Sequence, residues 1–154
     1  MGSRRRSLPL VLGSLPLGRG PLDLEAARAR LGGRVAGGER AGEAVRVIDR
    51  GGIERDGVVL CVHEARADVW VGGGRVLRVD ASALTASKAL VAELQPVASA
   101  ARAFGALVEG ERVTWTSPEG EVCEGVLAEK CRYGGLVGLE QGLVAVGFQR
   151  LRRA

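Results

Sequence analysis

Aromatic side chains are scarce here: two Trp, one Tyr and two Phe make up 3% of 154 residues. The apolar share of 46% is enough for a core, but that core must be aliphatic. Lysine is nearly missing as well, with two against 20 arginines, a skew that GC-rich coding alone produces. Histidine occurs once, so a Ser or Cys nucleophile would have to use His63 as its base, oriented by Glu64 or Asp68. No nucleophile motif accompanies it, and the chain is expected not to be an enzyme. The three cysteines, Cys61, Cys123 and Cys131, are odd in number and lack CxxC spacing. They read as free thiols of a reducing, cytoplasmic compartment rather than a disulfide scaffold. No run approaches the roughly 18 apolar residues of a membrane-spanning helix.

The net charge of +4 is unevenly placed. Residues 1–41 hold eight Arg against three acids, an excess of +5, whereas residues 42–84 hold six Arg against seven acids. Residues 85–109 and 110–154 each balance. The basic surplus is therefore confined to an N-terminal arm. Arg4-Arg5-Arg6 followed by a mostly apolar stretch to Leu17 resembles a signal peptide, and Ser3-Arg4-Arg5 resembles the start of a twin-arginine signal. Pro9, Gly13 and Pro16 interrupt the stretch and no small-residue cleavage site follows, so export is the minor alternative. Residues 1–20 are expected to lack order, and residues 22–31 (LDLEAARARL) to form a short helix.

Glycine, at 24 residues, is abundant and points to many turns. It also marks a repeat. At an offset of 68 residues, Gly42, Glu43 and Val45 fall on Gly110, Glu111 and Val113, and Gly57-Val58 falls on Gly125-Val126. Val69, Gly74 and Val76 fall on Val137, Gly142 and Val144. Each copy reads as a Gly-Glu entry, a short strand (44–49; 112–116), a polar loop, a long strand (58–63; 125–130) and a hairpin.

In the first hairpin, the turn Gly72-Gly73-Gly74 sets Val71 opposite Arg75, Trp70 opposite Val76, Val69 opposite Leu77 and Asp68 opposite Arg78. Alternation then gives a core face of Val69, Val71 and Leu77. The outer face carries Trp70 and a cross-strand Asp68 and Arg78 ion pair. In the second hairpin, a turn at residues 140–142 pairs Leu139 with Leu143 and Val137 with Ala145, leaving Leu136, Val144 and Val146 on the opposite face. Both faces are apolar, so both must be covered, by the other copy, the intervening segment or a partner protein. Between the copies, Ser87 is a candidate N-cap for a helix KALVAEL that Pro96 should end or kink. A second helical stretch is expected over 98–107. Each copy is too small to bury much core alone.

Residues 42–47 and 57–62 of the first copy, with 110–115 and 125–129 of the second, follow a Gly-x-x-V-x-V, loop, Gly-x-V-L-x-V pattern. This resembles the SH3-like barrels of the KOW and Tudor type, as does RVLRVDASAL, which resembles their last strand and 3₁₀ turn. The likeness spans roughly 85 of the 154 residues. It implies a mainly β chain of two small SH3-like antiparallel β-barrels, at 42–84 and 110–154, joined by a helical linker at 85–109 and preceded by the arm at 1–41. Such tandem barrels are usually non-catalytic and contact protein, RNA or DNA. Tudor domains that read methylated residues use an aromatic cage, for which the first copy offers Trp70 and the second Trp115, Tyr133 and Phe148.

Other constellations carry less. The triplet at 72–74 lacks the following helix of a phosphate loop. Cys61, His63, Cys123 and Cys131 could supply four zinc ligands, but buried cysteine also serves simply as a small hydrophobe, and no metal or other cofactor is expected. Arg46-x-x-x-Arg50 with Asp80-x-Ser82 resembles the arginine and DxSxxG motifs of PilZ cyclic-di-GMP receptors, with Thr85 where glycine belongs. The leading expectation is a module that binds a protein partner or itself, through Trp70 and the apolar Leu136, Val144 and Val146. The alternative is nucleic-acid or ribosome binding through the arm and through Arg46, Arg50, Arg75, Arg78, Arg150, Arg152 and Arg153. The third is a PilZ-like receptor.

Overall fold

A computed structural model describes residues 14–16, 21–35, 39–88, 90–140 and 142–154. The chain is mainly β, with two antiparallel sheets and two α-helices. It divides into two compact units: Gly37–Ala106, and Met1–Ala36 together with Leu107–Ala154.

The first unit contains strands β2 (Ala44–Ile48), β3 (Glu54–His63), β4 (Arg66–Trp70), β5 (Val76–Asp80) and β6 (Thr85–Ala86), then helix α2 (Gln95–Gly105). The sheet order is β5-β4-β3-β2-β6. After β5 a single 3₁₀ turn, Ala81–Ala83, reverses the chain so that β6 pairs back onto β2. Alternation along the strands gathers Val45, Val47, Val59, Ala67 and Val69 into one buried cluster, with Leu77 and Val79 packed at its margin. Residues 57–61 of β3 are buried on both faces, and α2 packs against that strand. The outer face expected of the first copy is thus covered along β3, while Arg46 and Ile48 on β2 and Arg78 on β5 stay exposed.

The second unit contains β7 (Arg112–Thr116), β8 (Val122–Cys131), β9 (Gly134–Leu139), β10 (Gly142–Gly147) and β11 (Arg152–Arg153). It also holds β1 (Ser14–Pro16) and helix α1 (Pro21–Arg30) from the N-terminal end. Its order is β1-β10-β9-β8-β7-β11. The offset of 68 carries into the register: Ala44 pairs with Val58 as Arg112 pairs with Val126. The irregularity between Val59 and Cys61 recurs between Leu127 and Glu129. Gly42 N–H donates to Val59 O at 2.8 Å, and Gly110 N–H to Leu127 O at 2.7 Å.

One conserved-in-register glycine explains how strands cross so closely. A Cβ on Gly57 would lie 2.5 Å from Val69 Cγ1 and 2.9 Å from Trp70 O. On Gly125 it would lie 2.6 Å from Gly138 O and 2.7 Å from Val137 Cγ1. No side chain fits at either crossing.

Several elements differ from expectation. β3 and β8 begin earlier than expected, at Glu54 and Val122. Charged residues that read as loop are cross-strand partners, since Arg46 bonds Asp56 and Glu54. KALVAEL is not an α-helix. Ser87 N–H donates to Ala44 O, which keeps the chain extended beyond β6, and among the described residues of the segment only Ala92–Leu94 turns, as 3₁₀. Pro96 sits in the first turn of α2 instead of ending a helix, a position where its missing N–H costs nothing. In the second hairpin, Leu139 pairs with Gly142 and Val137 with Val144, so only two residues intervene and the register slips by one. Val144 and Val146 then lie opposite Val137 and Gly135, while Leu136 faces Ala145 on the other side.

Within the stretch expected to lack order, Ser14–Pro16 form β1. Residues 1–13 and 17–20, which carry the expectations of a signal, lie outside the described residues. The helix expected over 22–31 spans Pro21–Arg30 and is packed onto the second unit rather than held in an arm. No helix among the described residues is long and apolar enough to cross a membrane.

Candidate functional site

Three of the expected site residues, Trp70, Arg75 and Arg78, lie on the β4 and β5 hairpin of the first unit. Gly72, Gly73 and Gly74 all have positive φ, at 101°, 60° and 74°, a run that side chains rarely tolerate. That turn fixes the expected register: Asp68 opposite Arg78, Val69 opposite Leu77, Trp70 opposite Val76. Arg78 Nε donates to Asp68 Oδ1 at 2.9 Å. Asp68, though, is not on a solvated face: it is 1% exposed, and Cys61 Sγ donates to its Oδ2 at 3.3 Å. The carboxylate is held as a buried charge with partners, the arrangement such a group requires. Trp70 is half-buried rather than exposed.

β5 ends its sheet, with no further strand beyond it among the described residues. Two hydrogen bonds fix which of its groups point outward. Val71 N–H donates to Arg75 O, and Ala81 N–H donates to Ala65 O. Bonded pairs alternate in an antiparallel ladder, so residues 77 and 79 turn their backbone groups toward β4. Val76 and Asp80 turn theirs to the open edge.

The matching edge in the second unit is closed. β1 runs antiparallel along β10, with Ser14, Leu15 and Pro16 opposite Val146, Ala145 and Val144. The second hairpin carries Leu136 and Ala145 on one apolar face. That face is covered by α1, whose Leu24, Ala27 and Leu31 pack with Cys131, Leu136 and Ala145. Burying Leu31 and Leu136 contributes on the order of 1.5–3 kcal/mol each. Arg28 anchors the helix through a fork to Glu129, with Nε to Oε2 and Nη2 to Oε1 both at 2.6 Å. That guanidinium holds the Glu129 carboxyl below its usual range. Past the helix, Tyr133 N–H donates to Leu31 O, Arg132 N–H to Gly33 O and Val35 N–H to Lys130 O, so residues 31–35 run along the end of β8.

The repeat makes the contrast specific. Where the second unit has Leu136, Ala145 and Glu129, the first has Asp68, Arg78 and Cys61. A side chain that receives a helix in one copy is a buried acid in the other.

Leu136 and Val146 are fully buried within the chain and Val144 is partly buried. Most of the expected arginines are engaged. Arg46 holds Asp56 and Glu54, and Arg153 holds Glu111. Arg150 donates to Thr116 O, and Arg152 to Gln149 O and Leu151 O. Arg50 and Arg75 are exposed, and no ion pair among the described residues involves them. Of the PilZ-like set, Asp80 lies 3.5 Å from Arg66 and is separated from Arg46 by two strands in sheet order.

His63 Nε2 lies 3.4 Å from Glu64 Oε1, while Asp68, the other candidate orienter, is held by Arg78 and Cys61. Burial pushes the Cys131 thiol up to about 11, away from the thiolate that reactive or metal-ligating cysteine needs. Burial also lowers Lys130, whose Nζ donates to Leu107 O at 2.9 Å. No three His, Cys, Asp or Glu among the described residues come together in a way that could hold a metal ion. Of the cage candidates, Trp115 and Phe148 are buried. That β5 lies at a sheet end among the described residues is not legible in the sequence, because edge position depends on which strands flank it, not on its residues. No family model matches this sequence, and no curated protein matches it.

Proposed function

We propose that the chain is a non-enzymatic binding module of two SH3-like barrels, whose first copy engages a protein partner. The barrel reading is supported by the strand order common to both copies: a last short strand returns after a tight turn to pair with the first. It is also supported by the long, bulged strands β3 and β8 at the middle of each sheet. The partner reading no longer draws on the apolar second hairpin, because α1 satisfies it. One observation carries it: equivalent edges are treated differently, β10 being covered by the chain's own Ser14–Pro16 while β5 has no neighbouring strand among the described residues. An open edge is a template for strand addition.

A photo-crosslinking residue placed at exposed Ser82, just past β5, tests this in cells against the same residue at exposed Glu119 in the second unit. A discrete protein adduct from Ser82 and none from Glu119 is expected. No adduct from Ser82, or equal adducts from both, would reject the reading. The second reading, RNA or DNA binding, draws on the +5 excess of residues 1–41 and on exposed Arg50 and Arg75. It requires binding to mixed RNA or DNA at about 50 mM salt that weakens steeply as salt rises.

A further inference from the structure

Resting on that reading, we propose that the β5 edge takes an extended, acidic peptide segment of another protein, in which apolar and acidic residues alternate. The chain itself displays the mode of binding. At the equivalent edge, three residues in extended conformation lie antiparallel to β10 in unbroken register. On β5, Val76 and Asp80 present outward backbone groups of the same kind, so a strand laid there gains main-chain hydrogen bonds whatever its sequence.

The side chains then select. Leu77 and Val79 sit at the margin of the inner cluster and are only partly buried, so apolar residues of an incoming strand would extend that cluster. The other face carries Arg78, half-exposed beside Asp68. Arg75, exposed and without an ion pair among the described residues, stands at the strand's entry. The acid at the far end, Asp80, is matched by Arg66. Arg78 is balanced by Asp68, so the surplus charge at the entry half is that of Arg75, which favours a carboxylate opposite it. The same charges argue against a second copy of β5 as occupant, because antiparallel self-pairing about Arg78 would oppose Arg78 with Arg78.

The test uses the full-length chain, isotope-labelled for amide NMR, and three synthetic peptides. These are acetyl-Thr-Val-Glu-Val-Thr-amide, its Thr-Val-Lys-Val-Thr counterpart, and a fully N-methylated glutamate peptide that has lost its backbone donors. The glutamate peptide should shift the amides of Val76–Asp80 saturably. The lysine peptide should bind about fivefold or more weakly, the scale of a cross-strand charge pair turned from attraction to repulsion. The N-methylated peptide should leave those amides unmoved. Arg75→Glu should reverse the preference between the two charged peptides while the remaining spectrum stays in place. Absence of shifts in β5, shifts confined to β10 and β11, or concentration-dependent shifts of β5 without peptide (the mark of a second copy) would each overturn the proposal. If these peptides fail while the Ser82 crosslink still captures a protein, the partner stands and only its chemistry is wrong. If both fail, the binding-module reading falls too.

Discussion

At the scale of single residues, Gly57 and Gly125 show how one position serves both copies through different neighbours. The atom nearest an added Cβ at Gly125 is a backbone oxygen, Gly138 O, which cannot rotate away. At Gly57 it is a valine methyl, with Trp70 O behind it. Gly125→Ala and Gly57→Ala should both lower stability, by about 1–3 kcal/mol, with Gly125→Ala the worse, as read from urea unfolding midpoints. Glu129 gives a pH-dependent counterpart. Its carboxyl is held low chiefly by the hydrogen bonds from Arg28, so its folded value lies below its unfolded one. The contribution is complete above the ordinary glutamate range of about 4.3 and fades as pH falls through the lower folded value. Protection of the α1 amides, taken relative to the intrinsic exchange rate at each pH, should therefore fall on acidification below that range. In Glu129→Gln, that protection should be lower at neutral pH and less sensitive to acid. Unchanged acid sensitivity in that variant would show that the pair does not anchor the helix.

At the scale of elements, the hairpin at 68–78 was legible to the residue because three consecutive glycines admit one turn and one alternation of faces. The hairpin at 134–147 was not. The single glycine of its expected turn, Gly142, belongs to the strand as its first residue, and a one-residue slip exchanges the faces of every residue after it. The segment 88–94 shows propensity overruled by context: good helix formers stay out of α2 because the chain is tied extended at Ser87 and α2 begins only at Gln95, with Pro96 in its first turn. Pro96→Ala should therefore change stability by less than about 1 kcal/mol. Ala100→Pro, in the middle of the same helix, should cost about 3 kcal/mol or more. Thermal unfolding of the two variants measures both. A large loss in Pro96→Ala would mean the proline does more than start the helix.

At the scale of the whole molecule, the duplication was readable because glycine and valine keep their offset of 68 from β2 to β4 and from β7 to β9. What the sequence could not convey is that residues 21–35, which precede the first copy, pack on the second. Periodicity marks Leu24, Arg28 and Leu31 as one helical face, but nothing local says which sheet that face meets. The consequence is an asymmetry between copies that look alike in sequence: one edge closed by the chain, one with no neighbouring strand among the described residues. Amide hydrogen exchange of the full-length chain tests this most directly. Ala145, opposite Leu15 of β1, should exchange about 100-fold or more slowly than the edge amides of Val76 and Asp80. If Val76 and Asp80 are protected as strongly as Ala145, the β5 edge is not open, and the case for a strand-adding partner is lost.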